Sequence, residues 1–149
     1  VLFLSAGNIH RAYGSKNTDV VSGAIRLVPW SGALFLVAFL AITGSPPFAP
    51  FVSEFTIVSS AFAEHNYWAG SLFLVFLAVI FIGMAFTVLP VVLGEPPAPT
   101  EDGPAPYRDS SSSIVPLLLL MTIMLVLGVW MPKPLADLLS AGAGLLGDH

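Results

Sequence analysis

The stretch AITGSPPFAPFVSEF, residues 41–55, combines features that one continuous helix does not tolerate. It is apolar enough for a membrane core, yet it contains Pro46, Pro47 and Pro50 and then the acidic residue Glu54. Proline lacks a backbone N–H and its ring clashes with the preceding turn, so the prolines predict a break in the helix. A break inside a membrane leaves N–H and C=O groups that lipid does not satisfy, at several kcal/mol each. The stretch therefore predicts polar surroundings beside Glu54.

The composition is that of a membrane protein. Hydrophobic residues make up 56% of the chain and charged residues only 9%, against about 25% charged in soluble domains. A helix of about 20 apolar residues crosses a hydrocarbon core of about 30 Å. Runs of that length without acidic or basic residues occur at 27–53, 65–94 and 110–132. We therefore predict an all-α fold, a multi-pass transmembrane helical bundle in the lipid bilayer with one discontinuous helix.

Polar and apolar segments divide the chain into predicted elements of one transmembrane domain. They are a truncated helix at 1–9, a polar loop at 10–26, a discontinuous helix at 27–64, a helix at 70–93, a polar loop at 94–113, a helix at 114–131 and a tail at 132–149. The first residues are apolar without a basic leader, so we expect a C-terminal fragment of a longer protein. The first loop holds three of the five basic residues, which predicts that it is cytoplasmic. The loop at 94–113, rich in proline, acid and serine, is expected only to connect helices.

The helix break is predicted at Gly44, Pro46, Pro47 and Pro50. A glycine after an apolar run suits the left-handed turn that ends many helices, and Pro50 suits the first turn of the next helix. Each half is short for a full crossing, whereas the two together exceed one vertical crossing. The length therefore leaves two topologies open, a single tilted discontinuous helix or a re-entrant pair of half-helices.

Glu54 is the only ionisable residue between Arg26 and Glu64. A charged residue at the centre of a membrane helix costs about 2.5–3.5 kcal/mol on insertion scales. Removal from water favours a protonated carboxyl group, whereas the positive end of a helix favours the carboxylate. A group held in that balance takes up and releases protons, so we predict that Glu54 carries protons. The alternatives are that it pairs with a basic residue of another helix or that it faces water at an interface.

Four other residues are accessory candidates. His10 could feed protons towards Glu54, Ser53 could hold ordered water, and Glu64 and His65 could receive a proton at the far mouth. Each also has a simpler explanation. His10 suits a membrane interface, Ser53 suits helix packing, and Glu64 and His65 suit a solvated loop.

Several classes of function are excluded by the residues themselves. The chain has no cysteine, which excludes disulfides and any cysteine-ligated zinc or iron–sulfur cluster held by this chain. It has no phosphate-binding glycine loop, catalytic triad pattern or metal-ligand cluster. We therefore expect no cofactor, no metal and no active site within this chain. The net charge of −4 leaves no basic face for nucleic acid.

Two neighbouring segments carry a family resemblance. LFLSAGNIHRAYGSK at 2–16 and GAIRLVPWSGALFLVAFLAITGSPPFAPFVSEF at 23–55 resemble the antiporter-like membrane subunits of respiratory complex I, of membrane-bound nickel–iron hydrogenases and of Mrp-type cation/proton antiporters. The form GSPPFAPFVSEF is most similar to the hydrogenase and formate-hydrogenlyase branch. The strong match covers about residues 1–60, and the remainder resembles generic terminal helices.

The resemblance implies a position in a proton path. In that family the discontinuous helix carries a lysine or glutamate near its break, and by position Glu54 is that residue. The resemblance also favours the single discontinuous crossing, with both polar loops in the cytoplasm and an external C-terminus. The family's other intramembrane lysines, glutamate and histidine do not lie in this chain, so we expect that it does not pump protons alone.

The function expected from these observations is a share in proton translocation. We expect the C-terminal portion of a proton-translocating membrane subunit of a redox-driven complex, of the hydrogenase or NADH:quinone oxidoreductase type, in the inner membrane of a bacterial or archaeal cell. Its partners would be the other membrane subunits of a respiratory or hydrogenase complex, which hold the redox centres. The alternatives are a subunit of a secondary cation/proton antiporter or ion-uptake system, or a purely structural membrane anchor.

Overall fold

The computed structural model describes residues 1–18, 20–96, 108–130 and 132–147. All regular structure in these ranges is helical. The helices are α1 (Leu2–Tyr13), α2 (Ala24–Leu27), α3 (Pro29–Ile42), α4 (Ala49–Ala63), α5 (Tyr67–Leu93), α6 (Ser111–Val129) and α7 (Lys133–Gly147). The prediction of an all-α fold is confirmed.

Two of these helices, α5 and α6, are long and apolar enough to cross a membrane. Both leave most of their large apolar side chains exposed, as Phe86 on α5 and Leu119 on α6 illustrate. Exposed apolar surface on this scale marks contact with lipid or with other helices. The apolar helices α3 and α4 are shorter, with 14 and 15 residues.

The helix ends differ from the predicted ones where local capping decides them. α1 continues past residue 9 to Tyr13, because Gly14 is the first residue to adopt the left-handed conformation, with φ +65°. The predicted start at residue 27 is replaced by the short helix α2 and by a new start at Pro29, which occupies the first turn of α3. α5 begins three residues earlier than predicted, where the Asn66 side chain accepts a hydrogen bond from the backbone N–H of Ala69.

The helix α3 lies at the centre of the packing. Phe39 is 1% exposed and stacks on Phe81 of α5, with ring centroids 5.5 Å apart. On another side of α3, Leu34 and Ala38 belong to a cluster that includes Leu117 of α6. α3 also packs against α1 and α2. Every other part of the described bundle is therefore positioned relative to this one helix.

The segment from α2 to α4 runs along α5 in the opposite direction. Three contacts mark the order: Gly23 with Pro90, Phe39 with Phe81, and Phe62 with Gly70. The numbers rise along one partner as they fall along the other, so α3 and α4 occupy successive stretches of the same path. Their 14 and 15 residues compare with the 27 residues of α5.

The backbone between α3 and α4 is supported by a glycine of α6. A Cβ atom added at Gly128 would lie 2.6 Å from the backbone nitrogen of Ala49 and 2.6 Å from the carbonyl carbon of Phe48, and it would overlap the carbonyl oxygen of Pro47. Contacts this short are not available to a side chain. Gly128 therefore allows α6 to approach the connecting backbone directly.

We predict that Gly128→Ala destabilises the protein, because overpacking a close contact costs about 1–3 kcal/mol. The midpoint of thermal unfolding in detergent should fall. Gly83→Ala is the matched control, since a Cβ atom at Gly83 in α5 meets nothing within 4 Å and alanine favours a helix over glycine. Equal midpoints for the two variants would contradict the close approach.

Candidate functional site

The connection between α3 and α4 is closed by backbone hydrogen bonds at its first half. Gly44 adopts φ +70°. The N–H of Ser45 donates to the carbonyl of Leu40 at 3.0 Å, and the N–H of Thr43 donates to the carbonyl of Phe39 at 3.1 Å. The 6→1 bond after a left-handed glycine is the Schellman arrangement, which satisfies carbonyls that a helix end leaves unpaired. The end of α3 is therefore well defined.

The second half of the connection begins α4 with few donors to satisfy. Pro46 and Pro47, joined by a cis peptide bond, are exposed and have no N–H. The N–H of Phe48 donates to the carbonyl of Ser45 at 3.2 Å. Pro50 lies in the first turn of α4, where a helix has no internal partner for its N–H groups. The prolines therefore lower the number of unpaired backbone groups at the break.

The side chain of Glu54 reaches back from α4 to the end of α3. It is partly buried, and a Cβ atom added at Gly44 would overlap its carboxylate. The absence of a side chain at Gly44 is thus what gives the carboxylate its place. Glu54 is the sixth residue of α4, beyond the first turn in which the helix N-terminus acts on a charge. Its carboxylate instead lies at the C-terminal end of α3, which carries partial negative charge.

A groove of about 420 Å³ opens beside this carboxylate between α4 and α5. Among the described residues that line it, Glu54 is the only ionisable one and Thr43 is polar. The Thr43 hydroxyl donates to the carbonyl of Phe39 at 2.9 Å. The remaining lining is apolar, contributed by Phe51, Phe55, Val58, Leu74, Leu77, Ala78, Phe81 and Ile82. No basic side chain lines the groove in the described part of the chain, so this surface offers Glu54 no ion-pair partner.

The accessory candidates lie apart from Glu54. Ser53 is exposed and its hydroxyl donates to the carbonyl of Pro50 at 2.9 Å. His10 lines a different cavity, of about 220 Å³, and its Nδ1 lies 3.0 Å from the carbonyl oxygen of Ser15. Glu64 and His65 are exposed in the turn between α4 and α5. The structure brings together Gly44 and Glu54, and it does not bring His10, Glu64 or His65 into their groove.

One residue of the loop at 94–113 has a structural role that was not expected. The carboxylate of Asp109 accepts hydrogen bonds from the backbone N–H groups of Trp30 at 2.9 Å and Ser31 at 3.2 Å. It also accepts a bond from the Ser31 hydroxyl at 2.5 Å, and that hydroxyl accepts one from the Asn8 side chain at 3.1 Å. The expectation that this loop only connects helices was wrong for Asp109, because an uncapped helix start lies beside it. The sequence signal was an acidic residue directly before the serines that begin α6.

Comparison with known proteins places these features in a family. Residues 1–85, more than half of the 149, match a protein-family model described as NADH:quinone oxidoreductase/Mrp antiporter, TM. The chain belongs to this family. The match includes α1, the central helix α3, the break with Gly44, and Glu54. The family expected from the sequence is confirmed.

Individual relatives come from two groups of complexes. The chain is 27% identical over 135 residues to NADH-quinone oxidoreductase subunit N of Moorella thermoacetica, covering 91% of this chain and 27% of the relative. It is 28% identical over 141 residues to subunit M of Mycobacterium tuberculosis, covering 93% and 24%. It is 32% identical over 66 residues to a Na⁺/H⁺ antiporter subunit of Alkalihalophilus pseudofirmus, covering 44% and 13%. The chain thus spans about a quarter or less of the length of these curated relatives. The hydrogenase branch stays a prediction.

We predict that Gly44→Ala and Glu54→Ala are energetically coupled. Gly44→Ala costs about 1–2 kcal/mol for the left-handed backbone alone. It should cost more when the Glu54 carboxylate is present, with a coupling of about 0.5–3 kcal/mol in a double-mutant cycle. The measurement is the free energy of unfolding of the four proteins in detergent.

Gly14→Ala provides the matched control for this cycle. Gly14 has φ +65°, similar to Gly44, but a Cβ atom there meets nothing within 4 Å. Its substitution should carry the backbone cost without any coupling to Glu54. Additive costs for Gly44→Ala and Glu54→Ala would show that the carboxylate does not occupy the space over Gly44.

Proposed function

We propose that this chain is part of a proton-translocating membrane subunit and that Glu54 carries the proton next to a break in a transmembrane helix. One observation carries the proposal: the Glu54 carboxylate is seated on Gly44, where α3 ends and α4 has not yet begun. Ionisable side chains within membrane segments are rare and serve ion or proton pathways by default. Family membership supports the same role.

The electrostatics of the seat suit a cation-accepting group. As an anion, Glu54 interacts unfavourably with the partial negative charge at the end of α3. A proton on the carboxylate removes that interaction, and its departure restores it. The groove at 74–82 of α5 gives the carboxylate open space on one side. The carboxylate is therefore not locked between packed groups, as a structural ion pair would be.

The topology that we propose is a single discontinuous crossing made of α3 and α4. It is supported by their successive contacts along α5, from Pro90 through Phe81 to Gly70. A re-entrant pair would return α4 to the level of the start of α3. In the single crossing, the loops at 10–26 and 94–113 share one side, in keeping with the contact between Asp109 and the start of α3.

The type of complex that contains the subunit is a further part of the proposal. The relatives named above are subunits of NADH-quinone oxidoreductases and of a Na⁺/H⁺ antiporter, so both a redox-driven complex and a secondary antiporter are candidates. We favour the redox-driven complex in a bacterial or archaeal inner membrane, because the long alignments to the two oxidoreductase subunits cover more than nine tenths of the chain. Purification of the intact complex decides, since redox subunits should co-purify only in the first case.

We predict that Glu54→Gln in the full-length protein lowers proton translocation on the order of tenfold or more, because the amide carries no exchangeable acid proton. Translocation is measured as acidification of membrane vesicles with a pH-sensitive dye. Glu64→Gln is the matched control, since Glu64 is exposed at the end of the same helix. Loss of assembly in Glu54→Gln would favour a purely structural anchor, and unchanged translocation would refute the proposed role.

We predict that residues 16 and 66 lie on opposite sides of the membrane. Single cysteines are introduced as Lys16→Cys and Asn66→Cys, in a chain without other cysteines. A membrane-impermeant maleimide should label one of them in right-side-out vesicles and the other in inverted vesicles. Labelling of both from the same side would establish the re-entrant pair instead.

A further inference from the structure

The first turn of α3 is capped by a residue from a distant part of the chain. The residue before the helix, Val28, offers no side-chain cap, and Pro29 takes the first helical position. The N–H groups of Trp30 and Ser31 would have no partner within the helix. The Asp109 carboxylate, 78 and 79 residues further along, accepts both. An anion at this end is also favoured by the helix dipole.

The cap is held from a third helix as well. Ser31 is fully buried, and its hydroxyl bridges Asp109 and the side chain of Asn8 in α1. Asn8 is itself 6% exposed. No side-chain polar atom in the described buried set is left without a partner. The start of α3 is therefore tied to both α1 and the residue preceding α6 by a connected set of hydrogen bonds.

The same helix that Asp109 holds at its start carries Gly44 directly after its end. α3 has 14 residues, a length of about 21 Å at 1.5 Å per residue. Its buried side chains, with Phe39 at 1% exposure, make it a packed rod and not a flexible segment. A shift or rotation at the first turn is transmitted through such a rigid element to its other end. The seat of Glu54 is at that end.

We propose that Asp109 is a positioning residue, whose hydrogen bonds to the first turn of α3 hold Gly44 in place against Glu54. The inference rests on the proposed function for its effect on transport, and on the hydrogen bonds alone for its effect on the break. Asp109 carries no proton in this scheme. It acts through α3.

The structural consequence is tested with a reporter at the break. Ser45→Cys is introduced into the full-length protein, and its rate of alkylation by a membrane-permeant maleimide is measured in vesicles. Asp109→Ala should change that rate by about threefold or more, because loss of a helix cap raises local opening. Asp109→Asn, which keeps one carbonyl acceptor, should have a smaller effect. Asp137→Ala is the matched control, an exposed aspartate on α7.

The functional consequence is tested by replacing the hydrogen bonds with a covalent tether. Trp30→Cys and Asp109→Cys are combined and joined by a short thiol-specific cross-linker. Proton translocation should be low in the reduced pair and should return to within about twofold of the parent after cross-linking, as expected when only position matters. A carboxylate that itself transfers protons would not be replaced by the tether.

The outcomes separate this inference from the proposed function. An unchanged alkylation rate in Asp109→Ala, or no recovery of translocation with the cross-link complete, would overturn it. If Asp109→Ala does not assemble, assembly of the tethered pair supports the positioning role and its failure to assemble counts against it. If Glu54→Gln leaves translocation unchanged while Asp109→Ala alters the reporter, the role of Glu54 fails and the positioning of the break by Asp109 stands.

Discussion

The constraint on which the rest depends is that an interrupted helix must satisfy its backbone polar groups in apolar surroundings. The chain meets it locally at the end of α3, where the N–H of Ser45 returns to the carbonyl of Leu40 around the left-handed Gly44. It meets it at the start of α4 with prolines that have no N–H to satisfy. Gly128 then lets α6 cover the connecting backbone at close range. The break is thus a built feature with a defined shape.

The central helix α3 ends at a carboxylate in both directions, and the two carboxylates stand in opposite electrostatic situations. Asp109 accepts hydrogen bonds from N–H groups at the positive end, which stabilise it as an anion. Glu54 lies at the negative end, over Gly44, where an anion is disfavoured. The same dipole therefore suits one acid to a fixed structural role and the other to proton exchange. Two acidic residues that look alike in the sequence differ because of which end of α3 they reach.

The packing of α3 explains how such a difference is maintained. Its side chains contribute to the clusters with α5 and with α6, and Ser31 at its start is fully buried. In contrast, α4 has no buried residue in the described chain, although it carries Glu54. The rigid half of the pair holds the seat, and the loosely packed half supplies the ionisable side chain. A groove beside Glu54 is the direct result of that asymmetry.

The sequence by itself determined the helical class, the family and the position of the break, because apolar run length, proline and glycine act through local chemistry that needs no partner. It also singled out Glu54, since one acid in an apolar stretch is visible without coordinates. Only the tertiary structure decided that this carboxylate lies over Gly44, that His10 faces another cavity, and that Asp109 caps α3 from 78 residues away. These facts depend on which helices pack together and in what order. Contacts between distant residues arise from that packing, and no local pattern in the chain encodes them.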